Sequence, residues 1–238
     1  MKVFDCHTHI DNGIKPYNIA QVVSKNVIFN SVASYKEQRD ALDKSDCASL
    51  VFDCFDNPDF VIREANSRNI SALKIHSRLQ RLSVDDYPFI SDKLFLTHSD
   101  LPVIIDAFYY GDELEFNPSL SGVIMLARQH RDRPFVIAHC GGYEILKYFF
   151  HLRPLPNIYY DLSFSLQYLH DSSLYTDLVK LVKYTDKSKI MFGSDYPLAD
   201  PNLQLEILLG VFDELKLSTQ EREKILFRNA ESLLALLF

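Results

Sequence analysis

Eight short runs rich in β-branched and apolar residues alternate along this chain with longer amphipathic stretches, and that alternation narrows the fold more than any other feature. The runs are KVFDCHTH, VIFNSV, CASLVFDC, ISALKIHS, LPVIIDAF, PFVIAHCG, NIYYDLSF and KIMFGSDY. They begin at residues 2, 27, 47, 70, 101, 134, 157 and 189, about 20 to 33 residues apart. That spacing suits parallel strands joined by crossover helices. Each run is almost continuously apolar, as expected of a strand covered on both faces. The intervening stretches carry helix signals. Ser34 followed by Glu37 predicts a capping box opening SYKEQRDALDK, and Ser218 followed by Glu221 predicts another at the start of the last helix. In that last helix Ile225, Leu226, Asn229, Leu233 and Leu237 fall near one face. Pro58 and Pro118 sit where first turns of helices are expected. With no low-complexity segment and no linker, the eight units predict one α/β domain over residues 1–238. A (β/α)8 TIM barrel is the expected fold, ahead of an open doubly wound sheet.

Composition removes several function classes. The formal net charge of −7 argues against nucleic acid or an anionic membrane as the main partner. No run of eighteen apolar residues is present, so no membrane-spanning helix is expected. The chain opens directly on MKVFDCHTHID, without the apolar stretch of a secretory signal. Cys6, Cys47, Cys54 and Cys140 show no CxxC spacing and read as reduced, buried thiols of a cytoplasmic protein. Neither GxGxxG nor GxxxxGK[ST] occurs, which removes the common nucleotide-binding readings.

The densest polar cluster lies in the first run. Side-chain alternation puts Asp5, His7 and His9 on one face and turns Cys6 and Thr8 to the other. Two imidazoles spaced i, i+2 on a strand can reach one ion, with Asp5 supporting them from behind. The competing reading, two hydrogen-bonded core histidines, is weakened by the acid and by what ends the other runs. Lys74 and His76 share a face of the fourth. Asp106 ends the fifth, His139 the sixth and Asp195 the eighth. In a barrel these ends form the mouth where active sites sit. One such residue is explained by a rim salt bridge; five strand ends at once are not. Asp161 ends the seventh run and reads as a substrate contact or a helix cap. Asp53 and Asp56 read as rim acids or caps, and Tyr109, Tyr110, Tyr143 and Tyr196 as packing or pocket lining. His98, His130, His151 and His170 read as surface residues.

Taken in order, FDCHTHID, KIHSRLQ, FVIAHCGG, YDLSF, FGSDYP and the closing ILFRNAESLLAL resemble the amidohydrolase superfamily. The branch they resemble is that of amidohydrolase-related proteins, which holds single-metal hydrolases and metal-dependent decarboxylases. The resemblance implies that His7 and His9 ligate a divalent metal, zinc first and manganese second. It implies that His139 assists beside the metal and belongs to its ligand neighbourhood. Asp195 would be a ligand that orients or deprotonates the attacking water. Lys74 falls where two-metal members carry a bridging lysine; followed by His76, it reads instead as a charge partner for substrate. Read from the residues themselves, Lys74, His76 and Arg78 put positive charge at the fourth-strand mouth and would bind a carboxylate or phosphate of the substrate, with Arg78 reading equally as a solvated loop arginine. One position departs from the pattern: the fifth strand ends in Asp106 where the family has a histidine ligand. A carboxylate also binds zinc or manganese, so Asp106 is expected to complete a mixed His/Asp centre.

The function expected is therefore a metal-dependent hydrolase acting on a small anionic molecule, with a homodimer implied by the family. A non-oxidative decarboxylase on the same site is the nearest alternative. A barrel that binds a ligand without turnover is the alternative from another class, and Asp106 motivates it. Lys74, in place of an acid, speaks against a TatD-like nuclease, and Ser194-Asp195-Tyr196-Pro197 against a phosphoesterase of the histidinol-phosphatase type.

Overall fold

The computed structural model describes residues 1–10, 19 and 21–234. Leu237 and Asp11, both part of the sequence patterns above, lie outside the described residues. Eight parallel strands follow one another around a single sheet in chain order. They are β1 (Val3–His9), β2 (Val22–Phe29), β3 (Asp46–Val51), β4 (Ala72–Ile75), β5 (Val103–Ile105), β6 (Phe135–Ile137), β7 (Ile158–Asp161) and β8 (Ile190–Met191). Backbone hydrogen bonds close the ring from β8 and the segment after it back to β1. Cys6 N–H donates to Phe192 O (3.0 Å), Asp195 N–H to His7 O (2.8 Å) and His9 N–H to Tyr196 O (2.7 Å). The expected (β/α)8 barrel is what the chain forms.

Outward-facing residues of the strands, among them Val27, Leu50, Leu73, Val103, Phe135 and Ile190, pack with the surrounding helices into one large apolar cluster. A second, smaller cluster lies inside the barrel. Phe4, Ile28, Ala72, Ile104, Val136 and Met191 meet there with Phe227, Ala230 and Leu234 of the last helical segment. All four cysteines are free and buried. No helix among the described residues is long and apolar enough to cross a membrane.

Several local expectations change. β1 carries an extra residue against β2: Asp5 pairs with Lys25, but Thr8 pairs with Val27. Such a bulge breaks strict alternation. Cys6 therefore joins the interior cluster instead of turning away from His7. The first helix, Val32–Gln38, is capped by Ser31, whose side chain accepts from Ser34 N–H; Ser34 is thus the third helical residue and not the cap. Pro58 does open its helix, whereas Pro118 precedes the cap Ser119 of Leu120–Gln129. The Ser218–Glu221 capping box forms with both of its hydrogen bonds. The helix it opens passes through a π-helical turn, Lys224–Arg228. His130 is buried, with 7% of its surface exposed, because Nε2 meets Ser91 Oγ (2.9 Å) and the ring packs on Phe95. His98, His151 and His170 are exposed as expected.

Candidate metal centre

His7 and His9 project from the C-terminal half of β1 into the mouth, and Asp195 enters it from the turn after β8. Asp195 adopts a left-handed backbone, φ +64°. Its N–H on His7 O ties that turn to β1. Asp5 does the same from below: its Oδ1 accepts the N–H of His7 (3.2 Å) and of Ser194 (2.8 Å). The supporting role expected of Asp5 is thus exerted on the backbone of the site.

Three side-chain atoms converge. His7 Nε2 and His9 Nε2 are 3.2 Å apart, and Asp195 Oδ1 lies 3.4 Å from the first and 3.3 Å from the second. The far nitrogen of each ring fixes its tautomer. His7 Nδ1 donates to Asp161 Oδ2 (2.5 Å), and His9 Nδ1 donates to the carbonyl of Ile28 (3.2 Å). Both Nε2 atoms therefore present lone pairs towards a carboxylate oxygen. Burial, reinforced by the Lys74 charge and opposed by Asp161, lowers the His7 pKa to about 4. Burial opposes ionisation of Asp195 but is outweighed by His9, His139 and His7, which hold its pKa well below the usual carboxylate range. A tetrahedral ion with ligands at about 2.0–2.1 Å holds its donor atoms roughly 3.3–3.4 Å apart. The three separations match that figure, so the donor set fits a divalent metal in spacing, in tautomer and in charge. Among the described residues this is the one group of three such side chains close enough to share an ion.

A second set sits beside it around Asp106. Asp106 Oδ2 is 3.4 Å from His139 Nε2, 3.5 Å from His76 Nε2 and 3.8 Å from Lys74 Nζ. Burial opposes its ionisation, but His76, His139 and Lys74 together hold its pKa far below normal. Lys74, 1% exposed, also donates to His7 Nε2 (3.1 Å) and so links the two sets. His139 follows β6 in a left-handed stretch, His139, Cys140, Gly141 and Gly142 having φ of +57°, +54°, +93° and +56°. Its Nδ1 donates to Ser163 O (3.1 Å). Burial lowers its pKa, but the Asp106 hydrogen bond and the charges of Asp195 and Asp106 prevail and lift it to about 9. Burial holds His76 neutral, near pKa 4, against the pull of Asp106.

The mouth thus brings together His7, His9, Lys74, His76, Asp106, His139 and Asp195. Asp106 and His139 face each other and stand outside the three-residue donor group. Arg78 lies further out, its guanidinium over the Tyr110 ring at 5.0 Å. All but His7 line one cavity of about 450 Å³, walled by Phe108 and Phe164. Sequence reasoning left Asp161 between two roles and passed over Ser163, yet both are buried at the centre. Ser163 Oγ donates to Asp161 Oδ2 (2.8 Å) and lies 3.1 Å from Nδ1 of both His7 and His139. The signal was available: Asp161 and Ser163 are spaced i, i+2 at a strand end, as His7 and His9 are. Asp53 accepts from Asp56 N–H and Asn57 and serves as a loop cap.

Solved structures with the same fold include an uncharacterised TIM-barrel protein of Bordetella bronchiseptica. It is 18% identical, with TM-score 0.68, covering 91% of this chain and 79% of that one. A 2,6-dihydroxybenzoate decarboxylase from Rhizobium aligns at 12% identity and TM-score 0.64 over 99% of both chains. A probable 2-pyrone-4,6-dicarboxylic acid hydrolase from Acinetobacter baumannii aligns at 14% identity and TM-score 0.62, covering 98% of this chain and 99% of that one. No curated protein sequence matches. The sequence profile of the amidohydrolase family matches residues 81–236. That match takes in well over half of the sequence, from the loop after β4 through His139, Asp161 and Asp195 to the last helix, and the chain belongs to the amidohydrolase family.

Proposed function

We propose that the protein is a hydrolase that uses one divalent ion, zinc by preference, to activate water against a small anionic substrate. The convergence of two imidazole lone pairs and one carboxylate oxygen at 3.2–3.4 Å carries this reading. A cation among these three atoms would accept both lone pairs and balance the carboxylate charge. His7, His9 and Asp195 would hold the ion, which supplies a lowered pKa for water and polarisation of a substrate carbonyl.

The chain's own groups provide the rest. Asp195, ionised and at the cavity wall, accepts the proton of the attacking water and returns it to the leaving group. His139, whose pKa is raised in spite of burial by the Asp106 hydrogen bond, faces the cavity and donates to oxygen as negative charge develops there. Asp106 keeps that imidazole in place and gathers Lys74 and His76, whose charge and N–H groups attract the substrate anion. In this reading Asp106 holds cations and is not a metal ligand. Phe108 and Phe164 exclude water from the same side. The experiment is metal content per chain after zinc loading, followed by hydrolysis of a panel of lactones, amides and esters of small acids in ¹⁸O-water. About one ion per chain and label in the product acid support the proposal; a chain that holds no ion overturns it.

A decarboxylase is the second reading, and the His139–Asp106 pair at the cavity wall favours it, since an imidazole held by a carboxylate can hand a proton to the carbon that loses carbon dioxide. Release of carbon dioxide without uptake of labelled oxygen would select it.

A further inference from the structure

Two backbone outliers lie against each other beside the metal centre. His139, after β6, is left-handed at φ +57°, and Phe164, after β7, stands at φ +59°, ψ −45°. A bulky residue at positive φ is strained. Ser165 N–H donates to Ser163 O across 2.5 Å, so Ser163–Ser165 is a γ-turn of the rare, strained hand, with Phe164 at its centre. Such conformations persist where the surroundings over-determine them, and they gather at functional sites.

The partner of this turn is His139. Its Nδ1 donates to Ser163 O (3.1 Å), which thereby uses both of its lone pairs. Ser165 Oγ donates in return to the backbone carbonyl of His139 (2.6 Å). The Ser163 hydroxyl lies 3.1 Å from the same Nδ1 and 3.1 Å from Nδ1 of His7. Phe164 and Phe108 meet the His139 imidazole edge to face, their centroids 6.1 and 6.0 Å away. Ser163, Ser165 and His139 are all buried, so water does not compete for these bonds. A carbonyl can only accept, so the bond to Ser163 O requires a proton on Nδ1 and turns Nε2 towards Asp106 Oδ2 at the cavity wall.

We propose that Ser163 and Ser165 are positioning residues that lock the His139 ring for turnover, Ser165 through the backbone of His139 and Ser163 through the rings of His139 and His7 together. The proposal rests on the role given to His139 above, and its test separates the two. Zinc-loaded protein labelled with ¹⁵N-histidine is followed by NMR for the imidazole Nδ1–H protons, each assigned by its loss in His139→Gln or His7→Gln. The wild type should show a slowly exchanging Nδ1–H from both rings. In Ser165→Ala the His139 proton should exchange with water about tenfold faster or more, while the His7 proton and the zinc stoichiometry stay as they were. In Ser163→Ala both protons should exchange faster. Ser165→Cys, a weaker donor of similar shape, should fall in between, and it decides the matter if Ser165→Ala does not fold. Thr97→Val is the control for lost stability alone. The Thr97 hydroxyl also donates to a backbone carbonyl, that of Leu94, but in the segment that leads into β5, at the end of the barrel away from the mouth. That variant should melt lower with both Nδ1–H protons unchanged. On the ester, lactone or amide that the wild type hydrolyses, Ser165→Ala should lower kcat about tenfold or more with KM within about twofold. A His139 proton that is absent from the wild type, that exchanges no faster in the Ser165 variants, or that accelerates equally in Thr97→Val overturns the proposal. Faster exchange with kcat unchanged overturns it too, because the ring is then held for the fold and not for turnover. If the chain takes up no zinc or hydrolyses nothing in the panel, the metal-centred reading falls, and the same exchange rates on the metal-free protein still uphold or overturn the lock on His139.

Discussion

His7 Nδ1 donates to Asp161 Oδ2 across 2.5 Å, both side chains being at most 1% exposed. This bond joins the first strand of the barrel to the seventh and decides which nitrogen of His7 faces His9 and Asp195. A carboxylate behind a ligating imidazole orients the ring and raises its basicity.

Replacing Asp161 by Asn should therefore weaken metal binding by about 10–100-fold while preserving the fold. Competition with a chromogenic chelator gives the affinity, and circular dichroism checks the fold. An unchanged zinc affinity in Asp161→Asn would show that the bond is only structural. His7→Ala/His9→Ala should remove the ion altogether.

Asp195→Asn should reduce kcat by about 10²–10⁴-fold, the usual share of general acid–base catalysis, with little change in melting temperature. A fully active, metal-loaded variant would contradict the role given to Asp195.

Gly193 is a test of crowding behind the centre. A Cβ there would stand 2.5 Å from Asp161 Oδ1 and 2.9 Å from the Cβ atoms of His7 and Ser163. Gly193→Ala should cost about 1–3 kcal/mol of stability and loosen metal binding along with it. Urea denaturation and chelator competition measure the two effects, and they should appear together.

His130 predicts an acid sensitivity away from the mouth. Burial, assisted by the Arg133 charge, lowers its pKa to about 4 from the ordinary histidine value of about 6.5. The folded protein holds it neutral, while the unfolded chain takes up a proton below about pH 6.5. The stabilisation is complete above pH 6.5 and is lost as pH falls towards 4, on the order of 2 kcal/mol. His130→Gln should flatten the fall of the urea midpoint between pH 7 and 4.5 relative to the wild type.

The amino-acid sequence by itself determined the fold class, because eight continuous apolar runs at crossover spacing leave few ways to bury every strand on both faces. It also placed His7, His9, Lys74, His76, Asp106, His139 and Asp195 at one mouth, because residues that end parallel strands must gather at one rim. What it did not contain was pairing within that rim. Asp161 lies 154 residues from His7, and closure of β8 on β1 is what carries the seventh strand to it. No local pattern says that Asp161 rather than Asp5 takes the imidazole, or that Asp106 faces Lys74, His76 and His139. The bulge in β1 likewise comes from register against β2, and the left-handed run at His139 from packing, since Cβ atoms at Gly141 and Gly142 would fall 2.7 Å from Tyr148 and 2.8 Å from Phe108. Local chemistry sets which groups reach the mouth; only the closed barrel, by fixing distances of a few ångströms between strands remote in sequence, decides which of them share a proton, a charge or a metal.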